Sequence, residues 1–135
     1  MLKEHKDECF ARFQEKRAEQ DVFWGQYNRQ RVEKQAEAKG RMGEQAEKIR
    51  ANKRSTSEKR AKACAALERV EENIEANREK LAGARSSEFA DRVSGWIEEG
   101  RERKRSIEES IRRFDEWMEE DDRRLSEVLR RMNTF

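Results

Sequence analysis

Apolar residues recur every three or four positions through the last third of the chain, and this spacing limits the possible fold more than any other feature. The stripe consists of Ile107, Ile111, Phe114, Met118, Leu125, Val128, Met132 and Phe135, and only Asp121 interrupts it. A 3.5-residue spacing places such side chains along one side of a helix, where another helix or a partner surface must cover them. The segment is therefore expected to pack lengthwise.

The composition predicts an all-α protein of long charged helices without a compact globular core. Charged residues make up 46% of the 135 residues, hydrophobic residues 33%, and proline is absent. Intrinsic disorder is the alternative for such a chain, but disordered segments are usually rich in proline and seldom keep a heptad pattern. The sequence favours helix.

Residues 1–40 are expected to form a helix whose apolar positions are aromatic. Four aromatic residues share one heptad frame there: Phe10, Phe13, Trp24 and Tyr27. Arg17 and Gln20 occupy the positions between them. Branched aliphatic side chains fit the holes of a self-associating coiled coil better than flat rings do. The aromatic residues are therefore predicted to bind a groove on another protein, with a neighbouring helix of the same chain as the alternative.

Residues 41–82 are expected to form a basic central helix, separated from the first segment by a hinge or boundary at Gly40 and Gly43. A second heptad frame runs through Ala46, Ile49, Ala63, Leu67, Val70, Ile74, Leu81 and Ala84, and Lys53, Thr56 and Arg60 break its middle. Ser55 and Glu58 have the spacing of a capping box that could open a new helix, and an uninterrupted helix is the alternative.

Residues 83–87 predict a turn or kink before a C-terminal heptad helix over 88–135. Gly83 can end a helix in the left-handed conformation, and a serine can cap the next helix. If the chain folds back there, residue i lies near residue 170 minus i. That register places Leu81 near Phe89, Ile74 near Trp96, and Met42 near Val128. A continuous or kinked rod is the alternative to this coiled-coil-like hairpin.

Charge is divided along the chain in a way that agrees with the hairpin. Residues 1–60 carry 16 Lys and Arg against 11 Asp and Glu, whereas residues 61–135 carry 16 against 19. The hairpin places residues 48–60 opposite residues 110–122, which include an acidic block, and opposite charges beside a helical seam set its orientation. The residues predicted to act electrostatically are Lys48, Arg50, Lys53, Arg54, Lys59 and Arg60.

No catalytic, cofactor or metal signature accompanies these helices. The single histidine, His5, shares a helical face with Cys9, and this pair is too small a ligand set for structural zinc. Hydrolytic enzymes of the common types need a base that titrates near neutral pH beside a nucleophile or metal. We therefore expect a non-enzymatic protein without a cofactor.

The leading hypothesis is an elongated component that docks lengthwise within a large, cytoskeletal assembly. The aromatic residues of 1–40 and the stripe from Ile107 to Met132 would contact protein partners, such as tubulin or another filament. Charged residues directly after Met1-Leu2 argue against a secretion signal, and no apolar run is long enough for a membrane span, so a cytoplasmic setting is expected. Self-association is left open.

Two other classes fit the same features. The basic stretch predicts phosphate contacts, and therefore an RNA-associated subunit of a ribonucleoprotein, as the first alternative. By length and charge the chain resembles short helical proteins that decorate axonemal and other cytoskeletal filaments, and also the coiled-coil stalks of bacterial flagellar and type III export machines. The second resemblance implies an export stalk or chaperone. Neither resemblance assigns a role to an individual residue.

Overall fold

A computed structural model describes residues 2–134 and shows an antiparallel hairpin of two long α-helices. Helix α1 is Leu2–Ala82 and helix α2 is Ser87–Met132. The two helices pack along their length from the turn outward. The hairpin, rather than the kinked rod, is the fold, which confirms the all-α prediction.

The turn lies where the sequence places it, but its glycine does not use a left-handed conformation. Among residues 2–134 no glycine has a positive φ. Helix α1 ends by tightening instead, with the amide of Ala84 donating to the carbonyl of Leu81 at 3.2 Å. Ser86 then caps α2, since its backbone is extended and its Oγ accepts from the Phe89 amide at 3.2 Å.

The apolar frames of residues 46–84 and 107–132 lie between the helices, and the core that they form is small. The buried cluster near the turn consists of Ile74, Val93 and Ile97, with Val70 and Leu81 partly buried against it. Ala46 is the other buried apolar residue among those described. A core of this size agrees with the prediction that no compact globule forms.

Two of the polar interruptions, Thr56 on α1 and Asp121 on α2, are linked through Asn52. Asp121, which breaks the α2 stripe, is buried and accepts a hydrogen bond from the Asn52 amide at 3.0 Å. Thr56 is also buried, and its hydroxyl donates to the carbonyl of Asn52 at 3.0 Å. The breaks thus form a hydrogen-bonded polar layer, as the burial of such groups requires.

The cross-helix ion pairs lie five residues, or about one and a half helical turns, beyond the predicted register. That register places Lys53 near residue 117 and Arg60 near residue 110, whereas they pair with Asp122 and Asp115. Side chains on a helix lean toward its N-terminus. In an antiparallel pair, each side chain therefore meets a partner with a higher residue number than the residue directly opposite its own Cα. Nearer the turn Ile74 lies against Gly100, four residues beyond the predicted Trp96, although it lines one groove with both residues.

Helix α1 does not break at the positions where a boundary was expected. It continues through Gly40 and Gly43, and the residues around Ser55 and Glu58 are helical, so no new helix begins there. A glycine costs a helix only about 1 kcal/mol relative to alanine, which a long helix tolerates. Gly43 instead lies beside the end of α2, since a Cβ placed there would lie 4.0 Å from the Met132 side chain.

The helices differ greatly in length, and this difference defines the shape of the molecule. Helix α1 has 81 residues and α2 has 46. Since α2 ends beside Gly43, residues 2–40 extend past it as a single helix, which we call the overhang. At about 1.5 Å per residue the overhang is roughly 60 Å long and the whole of α1 roughly 120 Å.

Candidate interaction surfaces

The predicted aromatic anchors lie on the overhang and are exposed. Phe10 and Phe13 are 62% and 63% exposed, and Trp24 and Tyr27 are 57% and 48% exposed. Single exposed apolar residues are ordinary on a protein surface, but two pairs of large aromatic residues on one side of a helix are typical of an interaction site. We call these four residues the aromatic stripe.

Trp24 and Tyr27, the second half of the aromatic stripe, form ring contacts with each other and with the neighbouring Phe23. The ring of Trp24 packs edge-to-face against Phe23, with the ring centroids 5.7 Å apart, and against Tyr27 at 5.8 Å. Edge-to-face pairs at this distance are attractive and restrict the side chains. Residues 23–27 therefore present a partly ordered aromatic surface rather than three independent side chains.

The other apolar residues of the overhang lie on different sides of the same helix. Val22 and Val32 are each 60% exposed. In the heptad that contains the aromatic stripe they occupy outer positions, pointing away from it. They are therefore suitable controls for any experiment that removes apolar side chains from the stripe.

The C-terminal stripe lies between the helices of the hairpin. The seven predicted contact residues within the described part are half-buried and share the frame of the buried Asp121: Ile107, Ile111, Phe114, Met118, Leu125, Val128 and Met132. Their position shows that they help to hold α2 against α1. Contact between these residues and another protein stays a prediction, and Phe135 lies outside the described residues.

Sequence reasoning missed the most buried part of α2, which is Val93, Ile97 and Gly100. Continuing the later stripe backward in steps of three and four residues reaches Ala90, and the same steps pass through these three positions. The signal was therefore present in the spacing. It was hidden because two of the four positions between Ala90 and Ile107 hold Gly100 and Lys104.

A second exposed aromatic row follows one side of α2. Phe89, Trp96 and Trp117 are exposed and are separated by multiples of seven residues. Phe89 and Trp96 pack edge-to-face, with centroids 6.4 Å apart. Trp96 also lines a shallow groove of about 230 Å³ with Ile74 and Gly100. This row lies beside the seam and was not singled out from the sequence.

The basic stretch divides into residues used by the fold and residues left on the surface. Lys53 pairs with Asp122 and Arg60 with Asp115, each at 2.5 Å. Arg50 lies 3.5 Å from Glu47 on the same helix. Within residues 2–134 the three remaining bases form no ion pair and are exposed: Lys48, Arg54 and Lys59. Half of the predicted electrostatic set thus remains on the surface without a paired acid.

The hydrogen bond from Arg60 to Asp115 has the clearest effect on a titrating group. The bond, reinforced by the charge of Asp115, raises the pKa of the Arg60 guanidinium above its ordinary value. Arg60 therefore keeps its charge at any pH at which the protein is folded. The Glu71–Lys104 pair, 3.6 Å apart, is a third cross-helix contact between opposite charges.

Residues 2–134 contain no cluster of three or more His, Cys, Asp or Glu side chains placed to hold a metal ion. His5 and Cys9 do share a face as predicted, with Nε2 and Sγ 3.9 Å apart. Neither described helix has a segment that is long and apolar enough to cross a membrane.

Comparison with protein-family models, with curated proteins and with solved structures finds no match to this chain. The functional inference consequently depends on the surfaces described above.

Proposed function

We propose that the protein is a non-enzymatic, elongated structural component that docks lengthwise within a large protein assembly, with a cytoskeletal filament as its setting in the cytoplasm. The overhang is the docking element, and the hairpin gives it a rigid base. Phe10, Phe13, Trp24 and Tyr27 are the anchors that enter the assembly.

This proposal rests on the exposure of the large apolar side chains of the overhang. Every large apolar side chain in residues 2–40 is more than 45% exposed. A single helix in water gains little stability from propensity alone, and most helical stability in proteins comes from covering an apolar face. An overhang about 60 Å long with uncovered aromatic rings is therefore a partner-dependent element, and large rings are favoured at the centre of protein interfaces.

The surface bases support a filament as the setting. Lys48, Arg54 and Lys59 follow the overhang directly and lie outside the cross-helix ion pairs. Complementary charge raises the rate of encounter and orients a partner more than it raises affinity. These bases would attract the acidic surface of a filament, such as a microtubule or an actin filament, to the part of the protein next to the aromatic anchors.

An RNA-associated role is the second candidate, and the ion pairs weaken it. Two of the six predicted bases, Lys53 and Arg60, are already committed to carboxylates of α2. Each base that is lost reduces the phosphates the stretch can neutralise, and with them the salt dependence of binding. The remaining bases leave room for weak nucleic-acid contact only.

A stalk or chaperone of an export apparatus is the third candidate. The hairpin topology is the feature that favours it, since such a protein would be stable alone as a monomeric hairpin. The exposed aromatic stripe has no role in that function. The overhang therefore distinguishes the two structural hypotheses.

The test is incorporation of the full chain into the detergent-resistant cytoskeletal fraction of the cell that naturally contains it. We expect the double variant Phe13→Ala with Trp24→Ala to be retained at least tenfold less, because truncated interface aromatics commonly cost more than 1 kcal/mol each. The variant Val22→Ala with Val32→Ala removes apolar side chains from other sides of the same helix and should be retained normally.

Two results would contradict the proposal. Equal retention of both double variants would remove the anchor role, since the aromatic stripe would then have no part in docking. Release of the wild-type chain by ribonuclease, together with a steep loss of binding as salt rises, would instead favour the RNA-associated role. Circular dichroism of each variant checks that the helices are intact.

A further inference from the structure

We propose that the partner of the aromatic stripe is the overhang of a second copy of this chain, bound antiparallel to it. This inference deepens the proposed function and rests on it, because it names what the anchors contact. It starts from the symmetry of the stripe about its own midpoint, between Ala18 and Glu19.

The stripe positions form a palindrome of residue character. In chain order they are aromatic at Phe10 and Phe13, polar at Arg17 and Gln20, and aromatic again at Trp24 and Tyr27. If two copies run antiparallel with residue i opposite residue 37 minus i, every position meets one of its own kind. A twofold interface requires this property, since the same patch must complement itself.

The antiparallel register makes three kinds of layer, each occurring twice. Phe10 meets Tyr27 of the second copy, Phe13 meets its Trp24, and Arg17 meets its Gln20. The four aromatic layers lie at the ends of the contact and the two polar layers lie at its centre. Aromatic pairs add about 0.5–1.5 kcal/mol beyond the area that they bury, which offsets the absence of leucine from the seam.

The residues beside the stripe also complement each other in this orientation. Asp7, Gln14, Asp21 and Asn28 follow one side of it at seven-residue spacing. Antiparallel pairing brings Asp7 beside Asn28 of the second copy and Gln14 beside its Asp21, so that an amide can donate to each carboxylate. On the other side Lys16 lies beside Phe23 of the second copy, an arrangement that permits a cation–π contact.

A parallel pair would place like charges together at the same positions. Arg17 would meet the Arg17 of the second copy inside the seam, and the gain beside the seam would be only an exposed pair of Lys16 with Asp21 of the second copy, about 0.2–1 kcal/mol. Like charges across a helical seam are destabilising, and a charge buried in the seam without a partner costs more. The sequence of the overhang therefore selects the antiparallel orientation.

The size of this interface predicts a dimer that depends on concentration. The stripes of the two copies contribute eight aromatic side chains, and each of these is about half exposed in the single chain. Together with their neighbours they would bury on the order of 1,000 Å². Specific interfaces bury about 1,200 Å² or more, and smaller ones are weak or transient. The product would be a double-ended rod, roughly 190 Å long, with a hairpin at each end.

Sedimentation velocity of the purified full chain over a range of concentrations tests the association. We expect the mass to rise from 16.2 kDa to twice that value as concentration increases. Phe13→Ala with Trp24→Ala should weaken the dimer at least tenfold, whereas Val22→Ala with Val32→Ala should leave it unchanged. Replacing Arg17 and Gln20 together by Leu should strengthen it at least tenfold, since both central layers would become apolar.

The native Cys9 tests the orientation. In a Cys64→Ser background, antiparallel pairing separates the two Cys9 residues by about 28 Å along the axis, too far for a disulfide. Adding Gln30→Cys places the new thiol on the same side of the stripe as Cys9 of the second copy. Mild oxidation should therefore yield covalent dimers only when both cysteines are present.

The inference is overturned by a chain that stays monomeric at every concentration, by a dimer that survives loss of Phe13 and Trp24, or by covalent dimers formed through Cys9 alone. These outcomes are separate from those of the proposed function. A monomer that still needs Phe13 and Trp24 to enter the cytoskeletal fraction would exclude the second copy and leave the docking role intact. If Phe13 and Trp24 are needed for the dimer but not for retention in the cytoskeletal fraction, only the docking role is excluded.

Discussion

Gly100 is the residue whose role changes most between sequence and structure. A glycine inside a helix normally destabilises it, by about 1 kcal/mol of free energy relative to alanine. Here it is buried, and a Cβ at this position would lie 2.8 Å from Cγ1 of Ile74. Gly95, five residues earlier on the same helix, has open space around the equivalent position.

These two glycines give opposite predictions for one substitution. Gly95→Ala should raise the free energy of unfolding by up to about 1 kcal/mol, since only the helix propensity changes. Gly100→Ala should lower it by about 1–2 kcal/mol, because the displacement of Ile74 outweighs the same gain. Thermal unfolding followed by circular dichroism measures both, and equal stabilisation by the two variants would show that Ile74 moves aside without cost.

At the scale of the elements, the seam between α1 and α2 is organised by its polar layer as much as by its apolar one. The buried Asp121 contacts Asn52, and ion pairs join Lys53 to Asp122 and Arg60 to Asp115. Exposed pairs contribute only about 0.2–1 kcal/mol each, so their effect on stability is small. Their effect on which residues lie opposite each other is larger, because any slip of the seam separates all of them.

A charge exchange tests this pairing. Lys53→Asp alone places two carboxylates together beside the seam and should lower the melting temperature by a few degrees. Adding Asp122→Lys should restore most of that loss, because the opposite charges are re-formed with their positions exchanged. Measurements at low ionic strength maximise the effect. A double variant that is no more stable than the single one would mean that the pair has no coupling.

The buried carboxylate gives a second prediction at this scale. Asp121→Leu continues the apolar stripe of α2 and should raise the free energy of unfolding by about 1 kcal/mol or more, since a buried polar contact is often less favourable than a packed hydrophobe. Asn52 is exposed and can bond to water after the change. Asp121→Asn keeps the shape and is the matched control. A destabilised leucine variant would show that the polar layer contributes net stability.

At the scale of the whole molecule, stability is distributed unevenly along α1. From Gly43 to the turn the helix is covered by α2, whereas the overhang has no covering element among the described residues. Local opening requires little free energy where few apolar contacts are broken. The hairpin therefore folds as the stable unit, and the overhang depends on what binds it.

Amide hydrogen exchange should resolve this difference. At concentrations too low for association, amides in residues 6–38 should exchange at least a hundredfold faster than those near Ile74 and Ile97, which open only with the hairpin. At high concentration, protection should appear around residues 10–27 first. Uniform protection of α1 at every concentration would contradict the division into a stable hairpin and a partner-dependent overhang.

The sequence by itself determined the all-helical class, the turn at residues 83–87 and most of the seam apart from Val93, Ile97 and Gly100, because these follow from local propensity and from a spacing of three and four residues. It also placed the charged stretches opposite one another. It marked the aromatic stripe, whose exposure the structure confirms, although its partner stays a proposal. These features need no knowledge of which surfaces meet.

Only the tertiary structure decided what depends on the distance between the helices. It showed that the breaks at Lys53, Thr56 and Asp121 belong to a shared polar layer, and that Gly100 is a contact rather than a weakness. It also moved the ion pairs by five residues, since side chains lean toward the N-terminus of each helix. A one-dimensional pattern records which residues share a face, but not how closely two faces approach or how far their side chains reach.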